Sequence, residues 1–199
     1  MHESRYEDVV RGVAERARAI RLGDPQDEAT EMGPIAHEGQ MRSVLAHIER
    51  ALADGAQLVV GGDGTPAGPP CFVPPTVFTG VRNDMALAQE EIFGPVLGVI
   101  PFSDDAEAVR IANDTRFGLA AGIWTRSLSR AHLLARELRC GNIWVNTYRA
   151  SAAQAPFGGT KQSGYGRERR LEALTYYTRV KNTMIELSDH TRDPFKLET

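Results

Sequence analysis

Residues 96–125 read VLGVIPFSDDAEAVRIANDTRFGLAAGIWT, and this stretch decides the fold. Val96 to Phe102 and Leu119 to Ile123 are short runs that are apolar on both faces instead of alternating, the pattern of strands covered from above and below. Between them Asp104 to Asn113 reads as a helix. A strand, a helix and a strand in this order predict a parallel pair joined by a right-handed crossover, with the helix packed on the sheet face. Working outward, Thr76 to Val81 reads as a further strand, Leu128 to Arg139 as a helix and Asn142 to Asn146 as a strand. The expected class is therefore α/β, a parallel sheet covered by helices.

Toward the N-terminus, Ser4 and Glu7 have the spacing of a capping box, and Tyr6, Val9, Val10, Val13, Ala17 and Ile20 follow at helical intervals until Gly23-Asp24-Pro25. A second helix carries Met41, Val44, Leu45, Ile48 and Leu52, with Gly55 placed as its left-handed C-cap, and Gln57 to Val60 reads as a strand. From Gly61 to Pro75, Gly and Pro recur too often for regular structure. At the other end, a helix is expected near Glu168 to Tyr177, a strand over Val180 to Leu187, and a loose polar tail over 188–199.

Composition narrows the function. The 199 residues hold 23 Lys plus Arg against 26 Asp plus Glu, a net charge of −3, which argues against a general binder of nucleic acid. No apolar run approaches the ~18 residues of a membrane span, and the charged start MHESRYED does not read as a secretory signal. Two cysteines, Cys71 and Cys140, give no disulfide framework, so a soluble, cytoplasmic protein is the expectation.

Several chemical motifs fail on context. Gly62, Gly64 and Ala67 have the spacing of a dinucleotide fingerprint, but Pro66, Pro69 and Pro70 forbid the helix whose amides would meet pyrophosphate. Cys140 closes a helix, where the dipole disfavours a thiolate, and Cys71 has no His or Lys nearby in sequence. His2, His37, His47, His132 and His190 lack metal-ligand spacing, so no metal site is expected. Two segments are more informative. In Gln89-Glu90-Glu91-Ile92-Phe93-Gly94-Pro95, a Gly-Pro turn holds Glu91 and Phe93 at the edge of a sheet, where α/β folds bind ligands. In PFGGTKQSGYGRE, Pro156 to Glu168, four glycines permit close backbone approach to a ligand, a domain or a neighbouring subunit. An ordinary loop is the alternative for both.

At these residues the chain resembles the C-terminal part of the aldehyde dehydrogenase superfamily. HESRYEDVV, GDPQDEATEMGP, FVPPTVFTGV, EEIFGP, NDTRFGLAAGIWT, GNIWVNTY and PFGGTKQSGYGRE occur in that family's order and separations. The family oxidises aldehydes to acids with NAD or NADP, using a cysteine thiolate, a glutamate that activates water, an oxyanion hole and a dinucleotide site. The resemblance implies that Glu91 holds the nicotinamide ribose, that Phe93 packs beside the same end of the cofactor, that Gln40 and Leu119 touch the cofactor, and that Phe157 lines the aldehyde entrance. Arg149, a few residues before Phe157, is a candidate to fork onto the carboxylate of an acid-bearing aldehyde; a solvated or salt-bridged arginine is the alternative.

The resemblance also carries a departure. The family's nucleophile stands in a Gly-Gln-x-Cys context just before the segment matched by HESRYEDVV, and the sequence begins after that point; Gly39-Gln40 is followed by Met41 and Arg42. Ser43 stands where many members carry a lysine. The expectation is thus a C-terminal fragment with no catalytic residue of its own, which does not turn over alone and binds NAD or NADP weakly or not at all. In this scheme residues 1–178 are a partial catalytic domain containing the 147–167 glycine-rich loop, 179–187 is an oligomerisation strand and 188–199 a polar tail. The expected partners are further copies, a full-length relative or a complementary dehydrogenase chain. The alternatives are a non-catalytic regulatory subunit and one half of a split enzyme.

Overall fold

A computed structural model describes residues 1–62, 71–187, 189 and 195. Among the described residues five α-helices and seven short strands follow in the order α1 (Tyr6–Ala19), α2 (Glu38–Ala53), β1 (Gln57–Val60), β2 (Thr76–Thr79), α3 (Ala86–Gln89), β3 (Val96–Gly98), α4 (Asp105–Asn113), β4 (Phe117–Gly118), β5 (Ala120–Ile123), α5 (Leu128–Glu137), β6 (Asn142–Val145) and β7 (Thr160–Lys161). The fingerprint positions Gly64 and Ala67, and most of the 188–199 tail, lie outside the described residues.

The helices begin and end where short polar groups replace missing backbone partners. Asp104 and Ser127 cap α4 and α5 by accepting the Glu107 and Arg130 amides, and His37 caps α2 by accepting the Gln40 amide at its Nδ1. At the far end of α2, Gly55 has φ +93; its amide donates to Leu52 and that of Ala56 to Ala51, a Schellman closure. The expected Ser4 cap is not formed. Residues Glu3–Arg5 make a 3-10 turn capped instead by His2, whose Nδ1 accepts the Ser4 amide, and α1 follows directly.

Among the described residues the single parallel sheet expected from the sequence is divided into three sheets. β2 runs parallel to β3 but antiparallel to β1; β5 and β6 form a separate parallel pair; β4 and β7 form a short antiparallel one. Nor are the two apolar strands covered on both faces. Leu97 in β3 is 47% exposed, and two of the four β5 residues are exposed, so their apolar character marks surface that the described residues leave open.

The main core lies between α2, β2 and α3. Val44, Phe78, Met85 and Val73 are at most 2% exposed, and Ile48, Ala51, Ala56, Val81 and Ile92 pack with them. Full burial of such a side chain contributes about 1.5–3 kcal/mol, so this cluster outweighs any surface ion pair. A smaller core joins α1 to the sheet through Val10, Ala17, Val77 and Val99.

Beyond β6 the chain is tied down by side chains. Asn146, at φ +53, accepts the Thr125 amide at 2.9 Å and donates to its carbonyl at 2.8 Å, adding one rung to the β5–β6 ladder. Lys161 donates its ammonium to the Asn113 and Thr115 carbonyls at 2.9 and 3.0 Å, fixing the glycine-rich loop to the end of α4. The helix expected near Glu168 to Tyr177 shrinks to a 3-10 turn, Leu171–Tyr176, because Arg169 and Arg170 are left-handed at φ +62 and +58. Val180 to Leu187 forms no strand. It joins no ladder, and a strand exists only against a partner that accepts and donates its backbone bonds.

Candidate functional site

Residues 90–95 are held as an outward-facing turn by the main core. Ile92 is buried in that core, while Glu91 and Phe93 on either side of it are exposed, Phe93 to 77%. Phe93 adopts φ +55, an uncommon conformation for a bulky residue, which rolls its ring away from the surface. Gln40, on the first turn of α2, holds the turn from behind. Its Nε2 donates to the Ile92 carbonyl at 3.0 Å and the Phe93 carbonyl at 3.1 Å. Gly94 allows the close approach: a Cβ there would stand 2.5 Å from Cγ2 of Val44. The Glu91 carboxylate makes no hydrogen bond or ion pair with any described residue. The turn thus offers solvent a free carboxylate and an aromatic face on a rigid base.

A second feature is an open cleft of about 700 Å³ along the glycine-rich loop, lined by Leu119, Phe157, Gly159, Arg167, Arg169 and Tyr177 among others. Phe157 is bridged to Glu168 by two backbone hydrogen bonds, 3.0 and 2.8 Å. One Arg167 nitrogen donates to the carbonyls of Gly159, Tyr165 and Gly166, closing the loop on itself. The absence of a Cβ at Gly141 lets β6 start against the Gly158 carbonyl, which would otherwise collide with it. The Arg169 guanidinium lies 5.8 Å from the centre of the Phe157 ring, within cation–π range.

The structure therefore brings Gln40 to the turn that carries Glu91 and Phe93, and brings Leu119 and Phe157 to one cleft. It does not bring Arg149 there. Arg149 is exposed, at φ +57, and does not line the cleft. Arg167, Arg169 and Tyr177 escaped sequence reasoning; the run Arg167-Glu168-Arg169-Arg170 abutting the glycine-rich loop was the available signal. A separate hollow of about 620 Å³ between α1 and the β1–β2 pair contains none of the residues singled out.

Among the described residues no base or cation hydrogen-bonds either thiol. Burial pushes the Cys140 thiol above its ordinary range, although a backbone hydrogen bond with Asn142 and the Lys161 charge pull the other way. No described residue hydrogen-bonds the Cys71 thiol, whose backbone is left-handed at φ +80. Among the described residues no three His, Cys, Asp or Glu side chains converge as metal ligands, and no helix is long and apolar enough to cross a membrane.

Comparison with known proteins places this geometry. Residues 1–183 match the aldehyde dehydrogenase family. The chain belongs to that family. A betaine aldehyde dehydrogenase of Brucella anthropi is 44% identical over 192 residues, 94% of this chain and 39% of the relative. A betaine aldehyde dehydrogenase of Cereibacter sphaeroides is 48% identical over 173 residues, 87% of this chain and 36% of the relative. Among solved structures, an NAD+ complex of aldehyde dehydrogenase from Bacillus cereus superposes with a TM-score of 0.88 at 42% identity, covering 94% of this chain and 38% of that one. An indole-3-acetaldehyde dehydrogenase of P. syringae, bound to NAD+ and IAA, gives 0.87 at 46% identity, covering 94% and 38%. The chain thus spans less than two fifths of the length of these relatives.

Proposed function

We propose that these residues form part of an NAD- or NADP-dependent dehydrogenase that converts an aldehyde and water to a carboxylic acid, with the oxidised cofactor taking up the hydride and one proton released. The observation that carries the proposal is the turn 90–95, which presents an unengaged carboxylate and an exposed aromatic ring side by side on a base fixed by Ile92 and Gln40. A carboxylate accepts hydrogen bonds from the two hydroxyls of a ribose, and an aromatic face packs on the flat ring beside it, so Glu91 and Phe93 fit the nicotinamide end of a dinucleotide. The glycine-rich turn leading into a helix that would cradle the phosphates has no counterpart among the described residues.

Bound there, the cofactor would supply the hydride acceptor. Glu91 orients its sugar, Phe93 limits its sliding, Gln40 keeps the turn in register and Leu119 borders the cleft. Phe157 walls the path along which the aldehyde arrives. The remaining chemistry needs a thiolate and a base, and neither cysteine is set up to supply the first.

Two outcomes follow. Mixed with NAD or NADP and a panel of aldehydes, the 199-residue chain produces no reduced cofactor; turnover that persists in the Cys71→Ser, Cys140→Ser double variant refutes this account of the nucleophile. Titrated with NAD, the chain shows amide shifts at residues 91–94, with affinity weaker than about 100 μM because one ribose contact is all it offers. Glu91→Gln abolishes those shifts, and shifts that survive it refute the ribose role.

A second function is favoured by the exposed apolar side chains of Val180, Met184, Ile185 and Leu187. We propose on this ground that the segment supports association, with further copies or with a full-length or complementary dehydrogenase chain, so that a regulatory role in such an assembly is the alternative. Light scattering on the chain, and on one truncated before Arg179, tests it. A monomer in both refutes it.

A further inference from the structure

We infer that Arg169 selects the substrate, favouring aldehydes that carry a carboxylate at the end remote from the carbonyl and disfavouring those that carry a fixed positive charge. The inference rests on the proposed aldehyde entrance at Phe157 and goes beyond it by naming the class of molecule admitted.

Three observations converge. First, the Arg169 guanidinium stands over the Phe157 ring, 5.8 Å from its centre, so the cation sits on the wall of the cleft itself. Second, it is uncommitted. Arg167 spends its hydrogen bonds on the carbonyls of Gly159, Tyr165 and Gly166, and Arg170 pairs with Glu172, whereas Arg169 makes no hydrogen bond or ion pair with a described residue. Its two-pronged donor edge is open to a planar acceptor, which a carboxylate matches with two parallel bonds. Third, the backbone aims it. Arg169 is left-handed at φ +62, and the Phe157–Glu168 bridge immediately before it fixes where its side chain leaves the loop.

The same placement works against cations. An aromatic face attracts a quaternary ammonium because of its negative π-cloud, but here one side of the Phe157 ring already holds a cation, and a second would be repelled at close range. The betaine aldehyde relatives are named for an aldehyde with a permanent positive charge, so their substrate is the sharpest contrast to the one inferred here. Tyr176 and Tyr177 line the same cleft and leave room for an apolar linker between the two ends of the molecule.

The test uses the 199-residue chain and unreactive probes: glutarate as the carboxylate, glutaramide as its neutral counterpart and glycine betaine as the partly cationic one, each followed by NMR of the arginine Nε–H and the Phe157 ring. Glutarate is expected to shift Arg169 and Phe157 together, glutaramide to shift neither, and betaine to bind at least tenfold more weakly than glutarate. Arg169→Asn, chosen because asparagine tolerates a left-handed backbone, should weaken glutarate about tenfold, the loss expected for a charge-assisted pair. Arg169→Lys, which keeps the charge but not the fork, should recover part of it. Equal shifts by glutarate and glutaramide, or glutarate binding unchanged in Arg169→Asn, overturns the inference. NAD titrated in parallel reports on residues 91–94, so loss of the cofactor response with glutarate binding intact refutes the broader function instead.

Discussion

Placing a methyl group on Gly94 should push apart the two elements that set the geometry of the turn 90–95. The added Cβ would lie 2.5 Å from Cγ2 and 2.9 Å from Cγ1 of Val44, roughly 1 Å inside ordinary contact. Val44 is fully buried, and a β-branched residue in a helix is held to one rotamer; both of its γ-carbons face Gly94, so turning the side chain exchanges one clash for the other. Gly94→Ala should therefore cost about 1–3 kcal/mol, the usual range for overpacking. Val44→Ala deletes the same two methyl groups and should cost about 1–3 kcal/mol through lost burial and a cavity. Made together, the changes compensate, since the new Cβ occupies the space that the γ-carbons vacate. The double variant should be at least ~1 kcal/mol more stable than the sum of the singles. Urea midpoints from far-UV circular dichroism measure this, and the amide resonance of Phe93 should move in Gly94→Ala and return in the double variant. Costs that add within about 0.5 kcal/mol would show that Gly94 does not touch Val44, and that the turn is positioned by something else.

Gln40→Ala removes two hydrogen bonds to the same turn; a loss of about 1 kcal/mol is expected, because the freed Phe93 carbonyl is exposed enough to find water, and hydrogen exchange at the Phe93, Gly94 and Val96 amides should quicken. Cys140, whose thiol burial holds above its ordinary range, should react with iodoacetamide more slowly than a free cysteine at pH 7.5, with a rate that keeps rising past the usual thiol pKa of about 8.5. Asp105 is held below its ordinary value by hydrogen bonds from Arg130, so its contribution is complete above the unfolded value of about 3.9 and disappears as pH falls through the lower, folded one. In acid unfolding, Arg130→Met should flatten the stability loss below pH ~4 only slightly, because both side chains are nearly half exposed and screened by solvent.

The elements legible in the sequence are those whose cause is local. The period of Val10, Val13 and Ala17 and the Gly55 closure announce α1 and the end of α2, because each is settled within a few residues. Apart from the Ser4 capping box, which His2 displaces, failures occur where the cause is distant or conformational. Arg169 and Arg170 belong to a pattern that reads as helical, and nothing in an arginine signals the left-handed backbone that breaks it. Val180 to Leu187 alternates like a strand, but alternation alone does not supply the second strand that a ladder needs, and among the described residues it joins none. Leu97 looks central because it is apolar, yet apolarity does not say which surface will cover it. The site divides the same way. Glu91, Phe93 and Phe157 stand in a recognisable motif, whereas the reach of Gln40 across more than fifty residues to the Ile92 and Phe93 carbonyls, and the seat of Arg169 over Phe157, exist only after folding.

Phe93 sets two kinds of selection against each other. Its left-handed backbone costs roughly 1 kcal/mol that asparagine would largely avoid, and its ring, exposed to 77%, returns almost nothing to the fold by burial. A library screened for heat resistance alone should therefore discard phenylalanine at this position and converge on asparagine or glycine. One screened for retention of a dinucleotide should restore it. The fold keeps the aromatic ring at a position where its own stability would have chosen otherwise, so residue 93 is where laboratory evolution toward a sturdier protein would first depart from this sequence.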